Sequence, residues 1–174
     1  TAYESSYGLV GSEMCIRDST GAAGQEIVAR LLDDIAFKKV TVFVRRNLDV
    51  QHEKLIIHKI NFSKLEDFKD LIRGDVLFSA LGTTLKEAGN KKQQYLVDYT
   101  YQYKFAEIAL NYGVTKYSLV SSAGANKNSF FFYPKIKGEL EESVKKLSFD
   151  SIQYFCSPLL FFEQCKICNH FYLY

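Results

Sequence analysis

Tyr133 and Lys137 stand four positions apart in Tyr133-Pro-Lys-Ile-Lys137, and a helix places such a pair on one face. A free phenol has a pKa of about 10 and neither gives nor takes a proton readily at neutral pH. An ammonium about 4 Å away, at an effective dielectric of about 20, favours the phenolate by up to ~4 kcal/mol. Lys137 is therefore expected to draw Tyr133 toward the range where general acid–base work is efficient. Ser121 and Ser122 end the apolar run Tyr117-Ser-Leu-Val120 shortly before, and a strand-end hydroxyl there can hold a carbonyl oxygen. The same tyrosine–lysine spacing occurs on ordinary exposed helices. It becomes chemistry only beside a dinucleotide site.

Half of such a site lies upstream. Thr20-Gly21-Ala22-Ala23-Gly24 opens the helical pattern Ile27, Val28, Leu31, Leu32. Glycines at this point of a Rossmann unit allow a tight turn and a close approach of backbone to pyrophosphate at a helix N-terminus. Gly21 and Gly24 fit the second and third glycines of a G-x-x-G-x-x-G pattern. The first then falls on Asp18, whose carboxylate opposes both the turn and the phosphates. The text before Thr20 gives a reason. Leu9-Val-Gly-Ser-Glu-Met-Cys-Ile-Arg-Asp-Ser19 is what a transposon-end adapter used in sequencing libraries spells when translated. Residues 1–19 are accordingly expected to be an adapter-derived, non-native segment, set apart from fold reasoning. Met14-Cys-Ile16 can still supply a short strand in place of the natural one.

Composition bounds the rest. With 22 basic and 20 acidic residues, nothing in the charge points to nucleic acid or to an anionic membrane. No uninterrupted apolar run is long enough to span a bilayer or to form a secretory leader. Four scattered cysteines suit a reducing cytoplasm better than a disulfide framework. Cys165-Lys-Ile-Cys168 with His170 is half of a zinc-type ligand set with no second pair, so no metal is expected.

From Thr20 onward, short β-rich runs alternate with helical patterns, which predicts an α/β, doubly wound parallel sheet. Strands are expected at Val40–Val44, Lys54–Ile60, Asp75–Leu81, Lys116–Ser121 and Ser151–Phe155. Helices are expected from Ser63, as cap, to Ile72, from Tyr95 to Tyr112 with Gly113 closing it, and from Tyr133 to Leu147. Ligands of such sheets bind beyond the carboxyl ends of the strands. Gly21, Gly24, Arg45, Arg46, Asn61, Leu81, Gly82, Ser121 and Ser122 all fall there. Where a NAD site carries an acid for the ribose 2′-hydroxyl, this chain has Arg45-Arg46, suited to a 2′-phosphate. NADP(H) is expected over NAD(H). Lys86, Lys91 and Lys92 read as a solvated face, and His52 and His58 as without a role.

Together these residues resemble the atypical branch of the short-chain dehydrogenase/reductase superfamily. The resemblance rests on Leu81-Gly-Thr-Thr84, Ala88-Gly89, Val97-Asp98 with Tyr101, Leu119-Val-Ser-Ser-Ala-Gly-Ala125, Tyr133-Pro-Lys-Ile-Lys-Gly-Glu139 and Phe149-Asp150. It covers residues 20–160 as one NAD(P)-binding Rossmann domain. It implies Tyr133 as acid/base, Lys137 as the residue that lowers its pKa and holds the nicotinamide ribose, and Ser121 or Ser122 as the group that polarises a substrate carbonyl. It also implies Asn61 and Phe62 near the adenine, and Leu81, Gly82 and Thr83 under the pyrophosphate and ribose. The implied activity is NADP(H)-dependent hydride transfer to or from a small carbonyl or alcohol. The implied alternative is a non-catalytic NADPH sensor that contacts other proteins. Helices in the positions of Tyr95–Tyr112 and Tyr133–Leu147 pair subunits in the wider superfamily, so a homo-oligomer fits as well. Two departures stand out: Phe155-Cys-Ser-Pro158 replaces the family's Arg-Pro, and residues 161–174 match nothing expected, as in a truncated or frame-shifted tail.

Overall fold

The computed structural model describes residues 12–17 and 22–157. Among these, six parallel strands form one sheet: β1 (Ser12–Arg17), β2 (Phe37–Val44), β3 (Leu55–Lys59), β4 (Val76–Ser79), β5 (Lys116–Ser122) and β6 (Ser151–Ser157). Their spatial order is β3-β2-β1-β4-β5-β6. The chain winds outward to one edge, returns to the middle and winds outward to the other. This is the doubly wound arrangement expected, and its order reverses between β1 and β4, where such sheets open a crevice at their carboxyl ends.

The strand β1 falls inside the segment expected to be adapter-derived. Met14, Cys15 and Ile16 pair with Val40, Thr41 and Val42 on one side, and with Val76, Leu77 and Phe78 on the other. Thr20 and Gly21, Asp18, most of residues 1–19 and the whole of 161–174 lie outside the described residues.

Helix α1 (Ala22–Asp33) covers one face of the sheet. Its Ile27, Val28, Leu31 and Leu32 pack on Val40, Val42, Val44, Val76 and Phe78. The other face carries a 3₁₀ segment (Phe62–Leu71), α4 (Tyr101–Asn111) and α5 (Phe132–Val144). There Phe105, Ala106, Leu140 and Val144 meet Phe43, Leu77, Tyr117 and Leu119. Burial on both faces explains why β2 and β4 read as unbroken apolar runs.

Two expected elements differ. The helix from Ser63 is a 3₁₀ segment with non-helical backbone at Lys64. Its cap is Asn61, whose side-chain oxygen accepts from the Ser63 amide at 3.0 Å and the Ser63 hydroxyl at 2.7 Å. An Asx-type turn two residues earlier has taken the role given to Ser63. The helix Tyr95–Tyr112 begins earlier, as α3 (Lys91–Tyr95), and passes through a π-turn, Leu96–Thr100, into α4. At that turn the Tyr101 amide reaches back five residues to the Leu96 carbonyl. A short helix α2 (Leu85–Ala88) precedes it, held by a reciprocal capping box between Thr84 and Glu87.

Candidate active site at the carboxyl edge of the sheet

Helix α5 carries Tyr133 and Lys137 against the end of β5. Pro134 is tolerated in the first turn because its missing amide would have no partner there. The β5–α5 connection is strapped to that turn: the Asn126 amide donates to the Pro134 carbonyl at 3.0 Å, and Ala125 to Ser122 at 3.1 Å. Gly138 permits this closeness. A Cβ added there would lie 2.3 Å from the Lys127 nitrogen and 2.4 Å from the Asn126 carbonyl carbon, and backbone cannot swing aside. Gly138 thus sets how closely α5 approaches the loop that follows β5.

Lys137 is 2% exposed. Its ammonium donates to the Val120 carbonyl at 3.4 Å and lies 5.8 Å from the centre of the Tyr133 ring. The pairing expected from the i, i+4 spacing is therefore present. Its effect on the phenol is not. Burial pushes Tyr133 up to about 12, and the carboxylate of Asp98 adds to the rise. The expectation of a lowered pKa is reversed because spacing reports the cation alone. In the folded protein, desolvation and a nearby acid outweigh it. Tyr133 is held protonated at neutral pH.

Ser121 and Ser122 are both buried, and as neighbours on a strand they point to opposite faces. The Ser121 hydroxyl donates to Glu141 on α5 in a very short hydrogen bond. The Ser122 hydroxyl has no hydrogen-bond partner among the described residues. Of the two candidates, Ser121 is committed to holding α5 and Ser122 is uncommitted.

Leu81, Gly82 and Thr83 form the turn after β4, with Leu81 buried. This turn is bound to the neighbouring helix by Gln94, Asp98 and Gln102, to which the sequence assigned no role. The Thr83 amide donates to Asp98 Oδ1 at 3.1 Å, and Gln94 Nε2 donates to the Thr83 carbonyl at 3.1 Å. Gln102 Nε2 donates to the Asp98 carbonyl at 2.7 Å, and Gln102 Oε1 accepts from the Ser79 hydroxyl at 2.7 Å. Gln94, Asp98 and Gln102 are all buried. Their i, i+4, i+8 spacing runs into the stripe of Phe105, Ala106 and Ala109, and that continuity was the signal available in the sequence.

Arg45 and Arg46 follow β2 directly and are exposed. Arg45 is close enough to act electrostatically on Glu87 and on Asp98, so its charge reaches into the cleft. Gly24 is buried in the first turns of α1, and Ala22 and Ala23 open that helix. Asn61 is engaged as a cap, and Phe62 is core: its ring lies 6.4 Å from those of Tyr101 and Phe105. Phe62 also borders a cavity of about 440 Å³ between the 3₁₀ segment and α4. Among the described residues, no cluster of His, Cys, Asp or Glu could hold a metal, and no helix is long and apolar enough to cross a membrane.

The residues present fit an anionic dinucleotide. Two exposed guanidinium groups, a bare glycine in the turn after β4, an ammonium in the wall and an uncommitted buried hydroxyl converge on the carboxyl edge of the sheet. The comparisons agree. A family model described as NAD(P)H-binding matches residues 19–149. Protein HTATIP2 of Rattus norvegicus is 35% identical over 144 residues, 80% of this chain and 59% of that protein. Protein FMP52, mitochondrial, of Candida albicans is 35% identical over 140 residues, 78% of this chain and 61% of that one. The chain thus spans about three fifths of the length of these curated relatives. Among solved structures, ADP-L-glycero-D-manno-heptose-6-epimerase of Helicobacter pylori superposes with a TM-score of 0.67 at 19% identity, covering 83% of this chain and 54% of that one. The Bordetella bronchiseptica enzyme WbmG, solved with NAD, gives 0.69 at 11% identity over 90% and 55%. At these identities the likeness is one of fold. The chain belongs to the NAD(P)H-binding family, as a Rossmann domain of the atypical short-chain dehydrogenase/reductase type.

Proposed function

We propose that this domain serves an NADP(H)-dependent oxidoreductase that reduces a small carbonyl compound, with Tyr133 as proton donor, Lys137 as the cation beside it and Ser121 or Ser122 as the group that holds the carbonyl oxygen. The observation that carries the reading is the placement of Lys137. An ammonium buried in the wall, bonded to the β5 backbone and set beside the Tyr133 ring, costs too much to be ornamental. When bound, the nicotinamide supplies the hydride. The chain's own residues orient the carbonyl and move the proton. A phenol kept protonated by burial is suited to giving its proton to the alkoxide that forms on the substrate, which favours the reducing direction. Phe130 and Phe131, both exposed just before α5, give the approach to Tyr133 an apolar rim.

Arg45 and Arg46 support NADP(H) over NAD(H), since guanidinium groups pair bidentately with a phosphate. Thr20, Gly21, Ala22, Ala23 and Gly24, with Leu81, Gly82 and Thr83, are assigned to the cofactor's phosphates and ribose. Cytoplasmic residence is the reading that the scattered cysteines favour. The fungal relatives carry mitochondrial names, so cell fractionation decides it. We also read residues 1–19 as adapter-derived, which the genomic reading frame tests.

The decisive variant is Tyr133→Phe. It should keep NADPH binding, followed by nucleotide fluorescence, and lose carbonyl reduction by about 100-fold or more. A protein that only senses NADPH has no turnover to lose, and full activity in the variant would overturn the assignment of Tyr133.

A further inference from the structure

We propose that Asp98 is a positioning residue of the reaction site: its carboxyl fastens the turn after β4 to the helix behind it and supplies the negative charge that faces Tyr133 and Lys137. The inference rests on reading Tyr133 and Lys137 as the reacting pair.

Asp98 is 0% exposed, so it acts through its neighbours and not by touching a ligand. It sits inside the π-turn, a helix defect that often marks functional sites. One carboxyl oxygen accepts from the Thr83 amide at 3.1 Å. The same oxygen would lie 3.6 Å from a Cβ placed on Gly82, so the acid lies directly against the turn. The other oxygen has no hydrogen-bond partner among the described residues. A buried polar atom left in that state requires an explanation.

Packing alone does not supply one. The flanking buried positions on this stripe, Gln94 and Gln102, are neutral amides: Gln94 bonds the Thr83 carbonyl and Gln102 the carbonyl of Asp98. An amide at position 98 would satisfy the Thr83 amide equally well, yet the middle position alone is an acid. Its charge is what distinguishes it. The charged and titratable groups that face it are Lys137 and Tyr133 from α5 and Arg45 from the end of β2. Thr83 and Gln94 contribute hydrogen bonds.

Asp98 opposes formation of the phenolate and attracts the ammonium. It therefore keeps the proton on Tyr133 and the cation beside it. Burial also pushes Asp98 itself up to about 6, so its charge changes within the working pH range and Tyr133 should register the change.

The test is a carbon-13 titration of the full chain with labelled tyrosine and aspartate. The Tyr133 ring resonance is assigned by its disappearance in Tyr133→Phe. In the parent it should move with a midpoint near 6, together with the Asp98 carboxyl resonance. In Asp98→Asn, which keeps an acceptor for Thr83, that movement should vanish while NADPH binding stays within about threefold. A flat Tyr133 resonance in the parent, or one that still titrates in Asp98→Asn, overturns the proposal. If the Asn variant fails to fold, the two parent midpoints decide it alone, and unequal midpoints overturn it. The readout needs no turnover, so it stands apart from the activity test on Tyr133.

Discussion

The two faces of the sheet are built from different materials. Under α1 the contact is aliphatic and dry: Ile27, Val28, Leu31 and Leu32 against the valines of β2. Under α4 and α5 the core is aromatic and threaded with polar groups, from Ser79 through Gln102, Asp98 and Gln94 to Ser121. The first face can relax around small losses. The second has its hydrogen bonds and a charge fixed at stated positions, so it tolerates little. The candidate site lies on the face whose polar contacts are fixed most closely.

The contrast can be broken most severely at Gly138. Gly138→Val drives a side chain into the backbone of Asn126 and Lys127, and should cost about 3 kcal/mol or more, read as a fall in the urea midpoint.

A second effect separates the faces by pH. Asp98 binds its proton more tightly folded than unfolded, rising from 3.8 to about 6. The folded state therefore holds the extra proton between those values, and stability falls as pH climbs through that window. The full difference is about 3 kcal/mol at neutral pH. Asp98→Asn should gain on the parent by up to that amount between pH 4 and pH 7. A constant difference in unfolding free energy across that range contradicts it.

Ser121 and Ser122 compare the faces at adjacent positions. Ser121→Ala strips a donor from Glu141 and should cost about 1–2 kcal/mol. Ser122→Ala removes a hydroxyl that nothing satisfies, so its unfolding free energy should be unchanged or slightly raised. Equal losses in thermal unfolding would erase the distinction. Smallest of all is the outer surface of α1, where Arg30 and Glu26 pair at 2.6 Å while both stay substantially exposed. Glu26→Gln should shift stability by only about 0.3–0.5 kcal/mol, a change that added salt should erase.

Much of this was legible in the chain and some was not. Alternation of β-rich and helical runs led to the sheet, and the Tyr133–Lys137 spacing led to the pairing of that ring with the ammonium. The phenol's direction of shift was not legible, because the i, i+4 rule places a cation but says nothing about burial. Asp98 stood among the residues of the family resemblance, but its place in the structure was not legible for a related reason. Polar residues in a helix are read as its solvent side, and here Gln94, Asp98 and Gln102 line the inner one. The π-turn has no residue signature at all. It is set by tertiary packing, as the departure of Ser63 from capping was set by one competing Asn61.

That π-turn has a consequence for how the protein can vary. One extra residue in a turn rotates everything on one side of it by about 100° relative to the other. The stripe before Leu96 and the stripe after Thr100 share a single wall only because of that added residue. Losing any one position between them would leave the helix intact, yet swing Gln94 away from the Thr83 turn. This stretch should accept exchanges of residue type far more readily than any change in its count.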